Sequence, residues 1–217
     1  MKSKELSASS KLLRNEYPLT KSGFPILRPE TISPIDEMLS FRDTRVSDLR
    51  AEKTEYLVHF FKDDDRLDSF YDKAYGERAE SILAKFAQYS AICTPDFSLY
   101  PQMPRPIQQM QIFKNRWCGA YWQDLGLRVI PTVTWGDCES YSFCFDGIPQ
   151  DATVAISTVG CQAVKQDFLA GYYAMREALC PRLVYCYGTP FEEIVADVVS
   201  FPYEAFKKGG VANGRSR

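Results

Sequence analysis

The chain alternates between short apolar runs and longer segments in which apolar residues recur every three or four positions. The apolar runs occupy residues 54–61, 90–94, 127–134, 152–157, 182–187 and 198–201, and such runs are typical of strands buried on both faces. Residues 67–88, 106–125 and 167–179 have the spacing of amphipathic helices, and Gly126 follows the second of them as a helix-ending residue. The pattern predicts an α/β fold of about six mostly parallel strands alternating with helices, in an open sheet or a partial barrel.

The two ends of the chain lack this alternation. Residues 1–48 contain scattered prolines and little periodicity, which predicts an extended N-terminal arm with a short helix around residues 35–39. Residues 49–206 form the predicted β/α domain, with another short helix at 191–195. The final residues, 207–217, are rich in glycine and basic side chains, and we expect a disordered tail there.

Composition narrows the class of protein. The chain has 217 residues, of which 45% are hydrophobic and 25% charged, so it can bury one substantial core. The net charge of −2 gives no overall attraction to nucleic acid, although a local patch from Arg105, Lys114, Arg116 and the basic tail stays open. We expect no signal peptide, and the sequence has no run of the roughly 18 apolar residues that a membrane span needs. We expect a cytoplasmic protein that makes no membrane contact.

The cysteines and the histidine favour a buried, reduced interior. The seven cysteines form no C-x-x-C pair, and Cys93 and Cys186 lie inside apolar runs, which favours free thiols in the core. A single histidine, His59, excludes a His-rich metal site. Its position inside an apolar run favours a hydrogen-bonded core residue over a general base.

Carboxylates follow two of the predicted strands. In parallel β/α folds functional groups gather at the carboxyl ends of strands. Clustered carboxylates there can hold Mg²⁺ or act as an acid and base pair, so Mg²⁺ is the candidate cofactor. Helix capping explains each Asp equally well, and it explains the Asp run at 63–65 better. The predicted catalytic residues are Asp96, Asp137 and Glu139.

Other polar and aromatic residues near the strand ends could hold a substrate. Arg116 offers a bidentate fork for phosphate, with a structural ion pair as the alternative. Trp135 could stack on a base or sugar, or pack beneath a loop. The predicted substrate-binding residues are Asn115, Arg116, Trp135, Ser157 and Thr158.

No signature of a known catalytic class is present, since the chain has no phosphate loop, no G-x-G-x-x-G turn and no G-x-S-x-G elbow. Residues 60–201 nevertheless carry an ordered set of motifs that resembles an uncharacterised family, domain of unknown function 4417, found mostly in bacteriophages and mobile elements of Gram-positive bacteria. The resemblance implies a β/α body encoded by a phage or mobile element and implies no reaction. The motifs include Thr94-Pro95-Asp96-Phe97-Ser98, Asn115-Arg116, Thr134-Trp135-Gly136-Asp137 and Phe143-Cys144-Phe145-Asp146-Gly147.

Two functions of different classes stay open. The first is action on a phosphate-containing substrate, a nucleotide or nucleic acid, at the carboxyl ends of the strands. The alternative is a non-catalytic accessory protein that binds a host or defence-system component through an aromatic surface including Trp117, Tyr121 and Trp122.

Overall fold

The described residues contain seven short strands in two parallel sheets. The computed structural model describes residues 13–30, 32–45, 56–62, 66–194 and 197–203, except the side chain of Arg78. All neighbouring strands within each sheet are parallel, so the predicted α/β class is confirmed. The first sheet has the order β1 (Glu37–Ser40), β2 (Tyr56–His59), β3 (Ala91–Cys93), β4 (Val129–Ile130), and the second β5 (Thr153–Ser157), β6 (Leu183–Tyr187), β7 (Val198–Phe201).

A short bridge joins the two sheets. Thr132 and Ala155 pair in parallel, with the Val133 N–H donating to the Ala155 carbonyl over 2.8 Å and the Ala155 N–H donating to the Pro131 carbonyl over 2.9 Å. The strands therefore follow one another in chain order from β1 to β7. Among the described residues the outer edges of β1 and β7 have no strand partner, so the sheet is open and no closed barrel forms.

In the described part of the chain, four α-helices lie between the strands: α1 (Asp68–Asp72), α2 (Glu77–Phe86), α3 (Arg105–Asp124) and α4 (Lys165–Leu179). The last two agree closely with the helices expected from periodicity. The single helix expected at 67–88 is instead divided into α1 and α2, because Gly76 between them has a φ of 110°. This left-handed region interrupts a helix and is accessible to glycine at little cost.

Two short predicted helices are wrong. The segment around residues 35–39 is mostly strand, since β1 pairs with β2 and places Met38 opposite Leu57. Part of the predicted arm thus belongs to the sheet. Of the segment 191–195, residues 191–194 form a turn closed by the Ile194 N–H and the Phe191 carbonyl, 2.9 Å apart. Residue 195, the Asp run 63–65 and the tail 207–217 lie outside the described residues.

The remaining described N-terminal segment packs against α3. Leu27 is buried, and its N–H donates to the Gly147 carbonyl over 2.8 Å. The Gln123 side-chain amide accepts from the Arg28 N–H and donates to the Arg28 carbonyl, both over 2.8 Å. These bonds fix the arm to the helix and to the segment before β5.

Two hydrophobic clusters of described residues form the core: one covers the first sheet and includes Tyr185 and Phe201 of the second sheet, and the other packs the second sheet against α4. The first contains Phe60, Phe86 and Trp122 in ring contact, and the second packs Val154 and Met175 together with α4. Full burial of such side chains contributes about 1.5–3 kcal/mol each. All seven cysteines are free thiols, and Cys93 and Cys186 are buried as predicted. Within the described ranges, no helix has both the length and the apolar character to cross a bilayer.

Candidate functional site

A cleft of about 610 Å³ opens at the carboxyl ends of β1, β2, β6 and β7. We call it the strand-end cleft. Its volume is in the range of small-molecule sites, roughly 300–1,000 Å³. Its polar lining at the carboxyl ends comprises Ser40, Arg42, Asp43, Thr44, Arg45, His59, Lys62 and Tyr187.

The turn after β1 brings two arginines to the cleft. The Arg42 N–H donates to Ser40 Oγ over 3.4 Å at the start of the 3₁₀ turn Phe41–Asp43. The Thr44 hydroxyl donates to the Phe41 carbonyl over 2.6 Å and closes that turn. The Arg45 N–H then donates to the Tyr89 hydroxyl over 3.2 Å. The backbone is therefore held at both ends of the turn, while Arg42 and Arg45 stay exposed.

His59 lies at the end of β2, beside Ser40 in the parallel register. Its ring packs against Tyr187 at a centroid distance of 4.4 Å, and its Nδ1 accepts the Phe61 N–H over 3.3 Å. Burial, together with the nearby Lys62 charge, lowers the pKa of His59 to about 3. The imidazole is therefore neutral at pH 7. Because Nδ1 is an acceptor, the ring proton lies on Nε2, which is a hydrogen-bond donor.

The charges of the cleft are separated along β1. Asp36 and Glu37 line it at the amino end of that strand, whereas Arg42, Arg45 and Lys62 line its carboxyl end together with Asp43. Glu37 and Ser40 are three residue steps apart along the strand, which is about 10 Å. Among the described residues that line the carboxyl end, three are cations and one, Asp43, is a carboxylate.

Two predicted substrate-binding residues, Asn115 and Arg116, are buried structural groups. The Asn115 amide donates to the Pro95 carbonyl over 2.8 Å and to the Thr132 carbonyl over 3.3 Å. The Arg116 guanidinium is fully buried and donates to the carbonyls of Asp146 over 2.9 Å and Cys144 over 2.6 Å, and to Asn115 Oδ1. Burial lowers the pKa of Arg116 to about 10, which leaves it charged at pH 7.

The segment after β4 also uses its predicted site residues locally. Trp135 packs on Phe168 at 5.0 Å and directly over Gly171, where a Cβ would collide with the indole. Asp137 Oδ1 accepts the Glu139 N–H over 3.1 Å and the Ser140 N–H over 3.3 Å. Glu139 itself is exposed. Capping and packing thus account for these contacts.

Asp96, Ser157 and Thr158 lie at the ends of β3 and β5. The Ser157 hydroxyl donates to the Tyr187 carbonyl over 3.2 Å, and the Thr158 hydroxyl donates to the Thr189 carbonyl over 2.9 Å. Burial and, secondarily, the Asp96 carboxylate raise the pKa of Cys161. The segments that follow β3 and β5 are therefore close enough for the Asp96 charge to act on Cys161.

None of the predicted site residues lines the strand-end cleft. Among the described residues, no three His, Cys, Asp or Glu side chains are grouped as metal ligands. The sequence reasoning missed Arg42, Arg45 and Lys62, because β1 was expected to be a helix. The signal that could have revealed Lys62 was its position just after a strand, three residues from His59.

Two surfaces expected from the sequence also differ in the structure. Trp117, Tyr121 and Trp122 are buried, so they form no aromatic docking surface. Of the expected basic patch, Arg116 is buried, Lys114 pairs with Asp68 over 2.7 Å, and the tail lies outside the described residues. Only Arg105 of that patch is described as exposed.

Comparisons with known proteins agree with the resemblance noted above. A family model described as "Domain of unknown function (DUF4417)" matches residues 18–204. The gene 1 protein of Mycobacterium phage D29 is 37% identical over 180 residues, which are 81% of this chain and 64% of the phage protein. The gene 1 protein of Mycobacterium phage L5 is 38% identical over 167 residues, 76% of this chain and 70% of that protein. The chain thus spans about two thirds of these relatives. No solved structure gives a significant match.

Proposed function

The chain belongs to the family described as domain of unknown function DUF4417, and from this premise we propose that its strand-end cleft binds a phosphate-containing ligand, a nucleotide or a nucleic acid segment. The observation that carries the proposal is the group of Arg42, Arg45 and Lys62 around the neutral His59 at the carboxyl ends of the strands. Neither the description of the family nor the names of its phage relatives specify a substrate.

The chemistry of these side chains suits a phosphate. Guanidinium groups bind phosphate oxygens through charge-assisted, often bidentate hydrogen bonds, and a lysine adds a point charge. His59 also lines the cleft, and its Nε2–H is a neutral donor. A pKa of about 3 makes His59 a weak base at pH 7, so the geometry supports binding more strongly than proton abstraction by this histidine.

Titration calorimetry of the full chain with pyrophosphate, ATP and a short single-stranded DNA, each with and without Mg²⁺, tests the proposal. The variants Arg45→Gln and Lys62→Gln remove one cation each while keeping polar side chains of similar length. We expect each to weaken binding about tenfold, because a hydrogen bond to a charged group contributes roughly 1.5–3 kcal/mol. The DNA arm separates a nucleotide site from a nucleic acid site.

The matched control is Arg128→Gln. Arg128 is exposed and directly precedes β4, so it lies at the opposite, amino end of the sheet. This variant should bind like the unmodified chain. Binding that falls equally in all three variants would reveal a nonspecific charge effect, and absence of binding by every probe would reject the proposal.

A different observation favours the alternative, a non-catalytic accessory protein that binds a host or defence component. Ile107 and Met110 are exposed three residues apart on α3, and Tyr100 is exposed just before that helix. Residues three apart share a helix face. If none of the phosphate probes binds to the cleft, support would shift to this apolar surface.

A further inference from the structure

An aromatic box on the helical side of the molecule holds a guanidinium from the N-terminal arm. The box consists of Tyr71 in α1, Tyr75 just after it, and Trp117 in α3. The Arg14 guanidinium carbon lies 4.5 Å from the ring centroid of Tyr71, 4.5 Å from that of Tyr75 and 4.0 Å from that of Trp117. All three distances are within the range of cation–π attraction.

The box also recognises a carboxylate two residues further along the arm. Glu16 accepts a short hydrogen bond of 2.5 Å from the Tyr75 hydroxyl and another of 3.4 Å from the Trp117 indole N–H. Arg14 in turn donates to the Tyr71 carbonyl over 2.7 Å. The same aromatic residues therefore bind a guanidinium and a carboxylate that are two residues apart, in the order Arg-x-Glu.

The arm lies on the surface as a strap and fits the box imperfectly. Arg14 is only 8% exposed, whereas its neighbours Leu13 and Asn15 are exposed. The buried Nη1 of Arg14 has no acceptor among the described residues. Arg14 also has a φ of 51°, in the left-handed region that costs free energy for a residue with a side chain. The contact is therefore specific but strained.

We propose that the aromatic box is a binding site for an extended peptide of a partner protein that presents Arg-x-Glu, and that Arg14 and Glu16 occupy this site within the chain until such a peptide displaces them. The occupant already present defines the ligand chemistry: a guanidinium against three ring faces and a carboxylate against two donors. A peptide free of the backbone constraint at Arg14 relieves the strain. The proposal concerns a different site from the strand-end cleft and does not depend on it.

A separate peptide with the sequence of the arm tests whether the aromatic box binds it. A fluorescein-labelled peptide with the sequence of residues 11–20 is titrated into the full-length Arg14→Ala chain, and its anisotropy is measured. We expect saturable binding, weakened about tenfold when the peptide itself carries Arg14→Gln, since cation–π contacts and the hydrogen bond are lost. Unmodified chain should bind the peptide at least about tenfold more weakly than Arg14→Ala, because the tethered arm competes at a high effective concentration.

Matched variants in the Arg14→Ala background locate the site. Tyr75→Ala removes one wall of the box and should weaken the peptide, whereas Tyr173→Ala removes an exposed tyrosine of α4 and should leave binding unchanged. Melting curves establish that each chain is folded, and Arg14→Lys replaces Arg14→Ala if the latter is not. The proposal would be overturned if both peptides bound equally well. Equal binding by the unmodified and Arg14-substituted chains, or no binding at all, would also overturn it.

Discussion

His59 stays uncharged at neutral pH because folding removes its ring from water and places Lys62 nearby. In the unfolded chain a histidine titrates near pH 6.5, whereas in the folded protein burial lowers the pKa of His59 to about 3. Between these two values the unfolded chain binds the additional proton. The free energy of unfolding therefore falls as the pH is lowered from about 6.5 toward 3, and this contribution is fully present above 6.5.

Replacement of His59 by glutamine should remove this pH dependence. The difference in unfolding free energy between the unmodified chain and His59→Gln should shrink by about 2–3 kcal/mol from pH 7 to pH 4.5, at about 1.4 kcal/mol per pH unit. Urea unfolding at pH 7, 5.5 and 4.5 measures it, and carboxylates that titrate in both chains cancel in the comparison. Parallel curves for the two chains would show that His59 is not held neutral.

At the scale of elements, the segment after β4 shows how a local hydrogen bond competes with a catalytic role. Asp137 accepts two backbone N–H groups, and the Ser140 hydroxyl donates to the Asp137 carbonyl over 2.6 Å. These bonds start the 3₁₀ turn Ser140–Ser142. An Asp side chain used in this way stabilises the turn whether or not it takes part in chemistry.

Two substitutions at Asp137 separate the roles. Asp137→Ala should lower the free energy of unfolding by about 1 kcal/mol, whereas Asp137→Asn should change it by only a few tenths, because asparagine caps about as well as aspartate. Thermal or urea unfolding measures both. If Asp137→Asn keeps full stability and yet abolishes turnover or binding of a phosphate ligand, the carboxylate itself is functional.

At the scale of the whole molecule, burial in the folded core determines which thiols contact solvent. Cys93, Cys118, Cys144 and Cys186 are buried, whereas Cys138 and Cys180 are exposed and Cys161 is half-buried. Burial raises the pKa of Cys144 to about 12 and of Cys186 to about 11. These thiols therefore stay protonated and unreactive while the core is closed.

Thiol labelling consequently reports on the integrity of both sheets. With a disulfide reagent at pH 8 the native chain should label quickly at the two exposed cysteines, more slowly at Cys161, and at all seven only after unfolding. Reducing agent should leave the melting temperature unchanged, because none of the seven is in a disulfide. Rapid reaction of more than three thiols in the native protein would contradict the buried positions.

The sequence by itself determined those features that depend on neighbouring residues. The periodicity of α3 and α4 and the apolar runs of β5, β6 and β7 placed these elements within about two residues, because side-chain spacing within a segment is a local property. The end of α3 near Gly126 was equally readable, since its φ of 86° suits glycine. The α/β class and the family resemblance followed from the same local information.

Only the tertiary structure decided what pairs with what. β1 is a strand because β2, from a remote part of the chain, lies beside it. Arg116 is satisfied by carbonyls some thirty residues away, so no local pattern distinguishes it from a phosphate ligand. The strand-end cleft joins side chains from the carboxyl ends of β1, β2, β6 and β7. Long-range pairing fixes these contacts, and it is the physical reason that the sequence could predict the elements of the fold while leaving the candidate site to be found in three dimensions.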